Sequence, residues 1–148
     1  MWSELGIAFT IVAICVVIHI VGMAVLIDWL IDHRDKLSDQ VGFRHYCLLL
    51  ILTFTVAIVL HFSEAFIWAG FYNWHGLFQN LETSLYFSLA SYTTIGYGDV
   101  VLPERWRLLG TLEGISGVLL CGLSTAFIFA IVNALFQIRL GKRSARES

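Results

Sequence analysis

The sequence predicts an all-α membrane protein with three transmembrane helices, a re-entrant half-helix and a loop that follows it. Three observations lead there. The chain of 148 residues is 58% hydrophobic and 14% charged, more apolar surface than a soluble domain of that size can bury. Its apolar residues gather into three runs of about 20 residues or more, the length of a bilayer crossing. A fourth run, moderately apolar, is too short to cross.

The first run extends from about Leu5 to Leu30, broken only by Thr10, His19 and Asp28. Glu4 is the only charge before Asp28, so the segment lacks the basic start of a secretory signal and reads as a retained span. A charged stretch, 31–45, follows and carries Asp32, His33, Arg34, Asp35, Lys36, Asp39, Arg44 and His45. The second span is expected at 46–71, followed by an interfacial aromatic turn, Tyr72 to Gly76. The short run, 81–93, forms a half-helix of about 20 Å. The third span, 106–138, would reach about 50 Å and must tilt or project from the bilayer. Residues 139–148 form a basic tail with Arg139, Lys142, Arg143 and Arg146. Three units follow: 1–45, a helix and its linker; 46–138, a central module; and 139–148, the tail.

Lysine and arginine set the orientation. Of the nine basic residues, all but Arg105 and Arg107 lie in the 31–45 stretch or the tail. With three crossings both regions share one side. The N-terminus is therefore expected outside and the C-terminus in the cytoplasm of a multi-pass cell-membrane protein. A net charge of −2 gives no reason to expect a nucleic-acid partner. Cys15, Cys47 and Cys121 all sit in apolar segments without metal-type spacing and read as packing residues.

The most informative segment is Thr94-Ile95-Gly96-Tyr97-Gly98-Asp99. An ion crossing a membrane sheds water, and rings of backbone carbonyls can replace it. Successive carbonyls face one axis only if the backbone alternates between left- and right-handed regions. Gly96 and Gly98 enter the left-handed region at no steric cost. Thr94 and Ile95 are stiff and suit the positions between, and the Thr94 hydroxyl adds a further ring of oxygens. Tyr97 is expected to turn away from the ions and brace the loop. The half-helix would aim its partially negative C-terminus at a cation.

Thr93 to Asp99 resembles the signature of the tetrameric potassium channel superfamily. The order of outer helix 46–71, pore helix 81–93, filter 94–99 and inner helix 106–138 resembles that family's pore module. The first helix lies outside the resemblance. It implies a homotetramer in a lipid bilayer, with K+ as the transported ion and no cofactor. Potassium would be coordinated at Thr94, Ile95, Gly96 and Tyr97, with Gly98 completing the filter. Nothing in the resemblance implies an enzyme.

The sequence departs from the family in places. Several bacterial relatives carry a glutamate behind the filter where this chain has Ala90. The tryptophan pair of voltage-gated relatives is matched by Tyr86 and Phe87. Thr93, Asp99 and Tyr86 are the expected filter supports. Tyr86 either anchors Asp99 through its hydroxyl or packs at the interface. Glu64 and Glu113 lie within apolar spans, where carboxylates are costly. They either hydrogen-bond to the pore helix or its neighbours, or make the filter proton-sensitive. His61 is one turn from Glu64 and a partner for it, while His19 reads as a packing residue. On the inner helix, Gly117 and then Gly122 are hinge candidates, and a packing role competes for each. Thr125 and Phe129 are placed on the cavity face. His33 and His45 either titrate in the physiological range or are simply solvated.

The sequence shows no arginine ladder, so the first span reads as a packing helix rather than a voltage sensor. The basic tail reads as a stop-transfer signal, with anionic lipid binding as the alternative. Three other functions compete with a potassium-selective channel. A weakly selective cation channel would more often lack the filter tyrosine. A silent regulatory subunit of another channel need not keep Gly96 and Gly98. An ion-coupled transporter would more often show a paired repeat.

Overall fold

A computed structural model describes residues 2–32 and 43–147. Among them every regular element is helical: α1 (Trp2–Asp32), α2 (Phe43–Trp74), α3 (Leu81–Tyr92), a 3-10 turn (Glu104–Trp106) and α4 (Arg107–Glu147). Three helices are long and apolar enough to cross a membrane, with candidate spans Glu4–Asp32, Tyr46–Trp74 and Glu104–Gln137. The chain is a multi-pass membrane protein. The charged residues Arg34, Asp35, Lys36 and Asp39, with His33, lie outside the described residues, as does the His45 side chain.

The expected interfacial turn at Tyr72 to Gly76 begins later than predicted, because α2 runs on to Trp74. Gly76 then takes a left-handed φ of 61°, which costs glycine nothing. The Gly76 N–H donates to the Asn73 carbonyl at 3.1 Å and the Leu77 N–H to the Tyr72 carbonyl at 3.0 Å. This pair of bonds is the Schellman closure of a helix end. Tyr72 is consequently a helix residue and fully buried, not an interfacial one. At the other end of the chain, the backbone of the basic tail continues α4 instead of forming a separate segment.

The half-helix α3 has a strong start. The Asn80 side chain accepts from the Thr83 N–H at 2.8 Å and from the Thr83 hydroxyl at 2.9 Å. Glu82 in the first turn adds a charge of the favourable sign for the helix dipole. Thr93 caps the other end.

One core joins all four helices. Ala8, Ile11 and Cys15 of α1 pack with Trp68 and Tyr72 of α2, Phe87 of α3, and Leu109 and Leu120 of α4. Aromatic rings dominate at its upper end, where Tyr72 meets Phe87 edge-on with centroids 5.5 Å apart. The N-terminus of α1 is tied to the turn before α4, because Arg105 Nε donates to Glu4 Oε1 at 2.7 Å. Arg105 also lies over the Trp106 ring at 5.6 Å. Many large apolar residues face outward, among them Phe54, Ile58 and Val118, as a lipid-facing surface requires.

Of the two hinge candidates, Gly117 has an evident packing task. A side chain there would strike the backbone carbonyl of Tyr92, so only glycine lets α4 pass the end of α3 at this distance. Gly122 faces open space, and α4 runs through both positions as one helix. Gly117→Ala is therefore expected to destabilise the protein by about 1–3 kcal/mol through overpacking. Gly122→Ala is expected to be neutral or to stabilise by up to about 1 kcal/mol. Thermal unfolding in detergent, followed by circular dichroism, checks both; equal midpoints for the two variants would contradict the packing account.

Candidate functional site: the loop after α3 and its supports

The loop leaves the end of α3 while still held by it. The Thr94 N–H donates to the Ser91 carbonyl and the Gly96 N–H to the Ala90 carbonyl, each at 3.0 Å. The Thr93 hydroxyl donates back to the Leu89 carbonyl at 2.6 Å. The backbone then takes positive φ at alternate residues: 59° at Thr94, 54° at Gly96 and 78° at Gly98. That alternation is the geometry that turns successive carbonyls to one side. Sequence reasoning assigned left-handed backbone to the glycines alone. The structure adds Thr94, where a β-branched side chain makes the conformation cost about 1–2 kcal/mol. Strain of this kind concentrates at functional sites.

The outer end of the loop is pinned by Asp99. Its Oδ2 accepts from the Tyr86 hydroxyl at 2.7 Å, and its Oδ1 from the Val100 N–H at 3.0 Å. The bond to Asp99 is the main reason the Tyr86 phenol titrates above its ordinary range. Tyr86 also stacks on Tyr97, with ring centroids 6.5 Å apart and planes 8° from parallel. Phe87 contributes only packing, against Tyr72 and Phe78. From Thr93 to Asp99 every residue is exposed in the single chain, Tyr97 at 69%. On α4, Thr125 and Phe129 are exposed too. The Thr125 hydroxyl is turned back onto the Cys121 carbonyl at 2.9 Å.

Behind the loop, two buried carboxylates hold α3 from opposite neighbours. Glu113 of α4 accepts from Tyr72 of α2 at 2.7 Å and from the Ser88 hydroxyl. Ser88 also reaches the Ala65 carbonyl of α2 at 2.6 Å. Glu64 of α2 accepts from the Tyr92 hydroxyl, at the last residue of α3. Both carboxylates are fully buried.

His19 is buried between helices, as a packing residue is, but it also has polar partners there. Its Nδ1 lies 2.8 Å from Glu64 Oε1 and its Nε2 2.9 Å from the Ser124 hydroxyl. An imidazole buried in an apolar bundle needs partners, and α2 and α4 supply them. His61 does approach Glu64, at 3.4 Å, but its shorter contact is with the Tyr92 hydroxyl at 2.9 Å. Sequence reasoning missed Tyr72, Ser88, Tyr92 and Ser124. The available signal was their polarity within apolar segments, matched by depth between helices rather than by spacing along one.

A family model described as "Ion channel" matches residues 46–134. The chain belongs to this ion channel family. Helix α1 lies outside the matched region, as one additional N-terminal helix. The chain is also similar to the calcium-gated potassium channel TvoK of Thermoplasma volcanium, with 40% identity over 70 residues. That match covers 47% of this chain and 19% of the relative. No solved structure matches the chain.

Removing the Tyr86 hydroxyl takes away one of the two bonds on Asp99. Tyr86→Phe is expected to speed the loss of channel current during sustained opening by several-fold, at about 1 kcal/mol for one exposed hydrogen bond. Patch recording of reconstituted protein checks this, and unchanged decay kinetics would exclude the anchor.

Proposed function

We propose that four copies of this chain surround a central pore that conducts potassium selectively and passively across the cell membrane. The observation that carries this reading is the alternation of positive φ at Thr94, Gly96 and Gly98, directly after the C-terminus of α3. Carbonyls of Thr94, Ile95, Gly96 and Tyr97, with the Thr94 hydroxyl, would replace the hydration shell of K+. The partially negative end of α3 adds a favourable field for a cation at the same place.

A single loop offers its carbonyls from one direction only, and a hydration shell must be replaced from all sides. Fourfold cyclic symmetry supplies the missing directions with identical loops. The exposure of the whole loop and of Tyr97 in the isolated chain supports this, because such a surface calls for neighbours. Thr125 and Phe129 would then line the path below the filter. Gly122 is the better hinge candidate, because the packing of Gly117 against Tyr92 resists bending there. The Glu4–Arg105 contact sets the start of α1 beside the turn that follows the filter. This supports an outside N-terminus and a cytoplasmic C-terminus, in agreement with the basic tail.

The test is ion flux from the purified protein in liposomes. Potassium is expected to pass far better than sodium. Gly96→Ala is expected to lower potassium flux by about tenfold or more, since a Cβ penalises left-handed backbone by about 1–2 kcal/mol in each subunit. Equal permeability to the two ions in the unmutated protein would contradict the proposal, and so would full flux in the variant.

A further inference from the structure

Five polar side chains from all four helices meet inside the bundle and close a ring. His19 Nδ1 faces Glu64 Oε1 at 2.8 Å. His19 Nε2 faces the Ser124 hydroxyl at 2.9 Å, and that hydroxyl faces His61 Nε2 at 3.0 Å. His61 Nδ1 meets the Tyr92 hydroxyl at 2.9 Å, and Tyr92 returns to Glu64 Oε2. The two imidazoles lie side by side, with centroids 5.0 Å apart. Both Nε2 atoms converge on Ser124, and both Nδ1 atoms converge on the Glu64 carboxylate. His19, Glu64, Tyr92 and Ser124 are buried, and His61 is 20% exposed.

Counting protons exposes a gap in this ring. It has five contacts and each needs one proton. Two neutral imidazoles, a phenol and a hydroxyl supply four, and an ionised carboxylate supplies none. The ring so constituted carries one negative charge and leaves one contact between two acceptors. One further cation, a proton or a metal ion, completes it, at a place with nitrogen and oxygen donors on several sides.

We propose that His19, His61 and Glu64 form a binding site for a divalent transition-metal ion of the zinc class, with the Tyr92 oxygen as fourth ligand, its phenol proton released on binding so that the ion and the two oxygen anions balance in charge. The donor types are those that select such ions, imidazole and carboxylate, rather than the all-oxygen sets of calcium or magnesium. His19, His61 and Glu64 each bring a ligand atom within 4.8 Å of the others. Metal–ligand bonds of about 2.0–2.1 Å in a tetrahedron require ligand atoms about 3.3 Å apart. His19 Nδ1 lies 2.8 Å from Glu64 Oε1 and His61 Nδ1 lies 3.4 Å from Glu64 Oε2, so both imidazoles face the one carboxylate that an ion would share with them.

Ser124 supplies what metal-bound histidines need beyond the metal. A ligating imidazole donates its other N–H to a fixed acceptor, which sets its tautomer. The Ser124 oxygen has two lone pairs and lies within hydrogen-bond distance of both Nε2 atoms. With both Nε2–H groups directed there, both Nδ1 lone pairs turn toward Glu64. A metal ion held at that point would join α1 to α2 and to the last residue of α3, one position before the cap of the filter helix. It would give the additional N-terminal helix a direct hold on the base of the filter.

The test uses the purified full-length protein, stripped with a chelator and titrated with cobalt(II). Four-coordinate cobalt gives intense visible absorption that hydrated cobalt lacks. The expected result is a saturable band at one cobalt per chain, displaced by zinc and lost in Glu64→Gln and His19→Gln. Ser124→Ala should keep the band and weaken affinity by about 10–100-fold, the effect of removing a hydrogen-bond partner behind the ligands. Should the ligand variants fail to fold, the unmutated protein decides: saturable cobalt absorption together with a zinc-dependent rise in unfolding temperature supports the site. Absence of either in the unmutated protein overturns the proposal. A band that survives both ligand variants overturns it as well, since the metal then sits elsewhere.

Discussion

Backbone that is not helical has no place in a lipid bilayer unless protein or water surrounds it, because its polar groups would otherwise lose their partners. The loop from Thr94 to Asp99 is such a backbone, and the rest of the structure answers to that constraint. Its first free N–H groups are returned to carbonyls at the end of α3, and its outer end is held through Asp99. The carbonyls that remain are left for whatever passes. A loop with so few internal bonds keeps its shape only if the helix before it cannot move.

That helix is short, and twelve residues bury too little apolar surface to fix it by packing alone. Its position is set instead by polar contacts that are costly to break. Ser88 bonds to a carboxylate of α4 and Tyr92 to a carboxylate of α2. Once buried, each carboxylate requires its donors, since an unpaired one loses several kcal/mol of hydration without return. Gly117 completes the arrangement by letting α4 lie directly against the Tyr92 backbone. Two helices, α2 and α4, thus bear directly on the last turn of α3, and α1 takes part through the contact of His19 with Glu64.

The spans, the half-helix and the bend of the loop after it were legible in the sequence because each rests on a local rule. Run length gives the spans and the half-helix, and glycine at alternate positions marks the loop. Tyr86 and Asp99 were legible as a pair because they sit at matching positions of a pattern. What stayed hidden was every contact made between helices distant in sequence. His19 and Ser124 are far apart along the chain, and neither has a neighbour that announces the other. Tyr72 looked interfacial because aromatic residues gather at helix ends, and only the Gly76 closure places it one turn inside. The left-handed Thr94 was missed for a different reason: a β-branched residue opposes that backbone, and only tertiary structure can impose it.

In the proposed pore the carbonyls of Thr94 to Tyr97 from four chains converge on one axis and bind dehydrated potassium. Anomalous diffraction from crystals soaked in thallium, a potassium substitute, tests it most directly. A column of anomalous peaks is expected on a fourfold axis, ringed by those carbonyls. Peaks absent from the axis, or a loop whose carbonyls face away from it, would contradict the account.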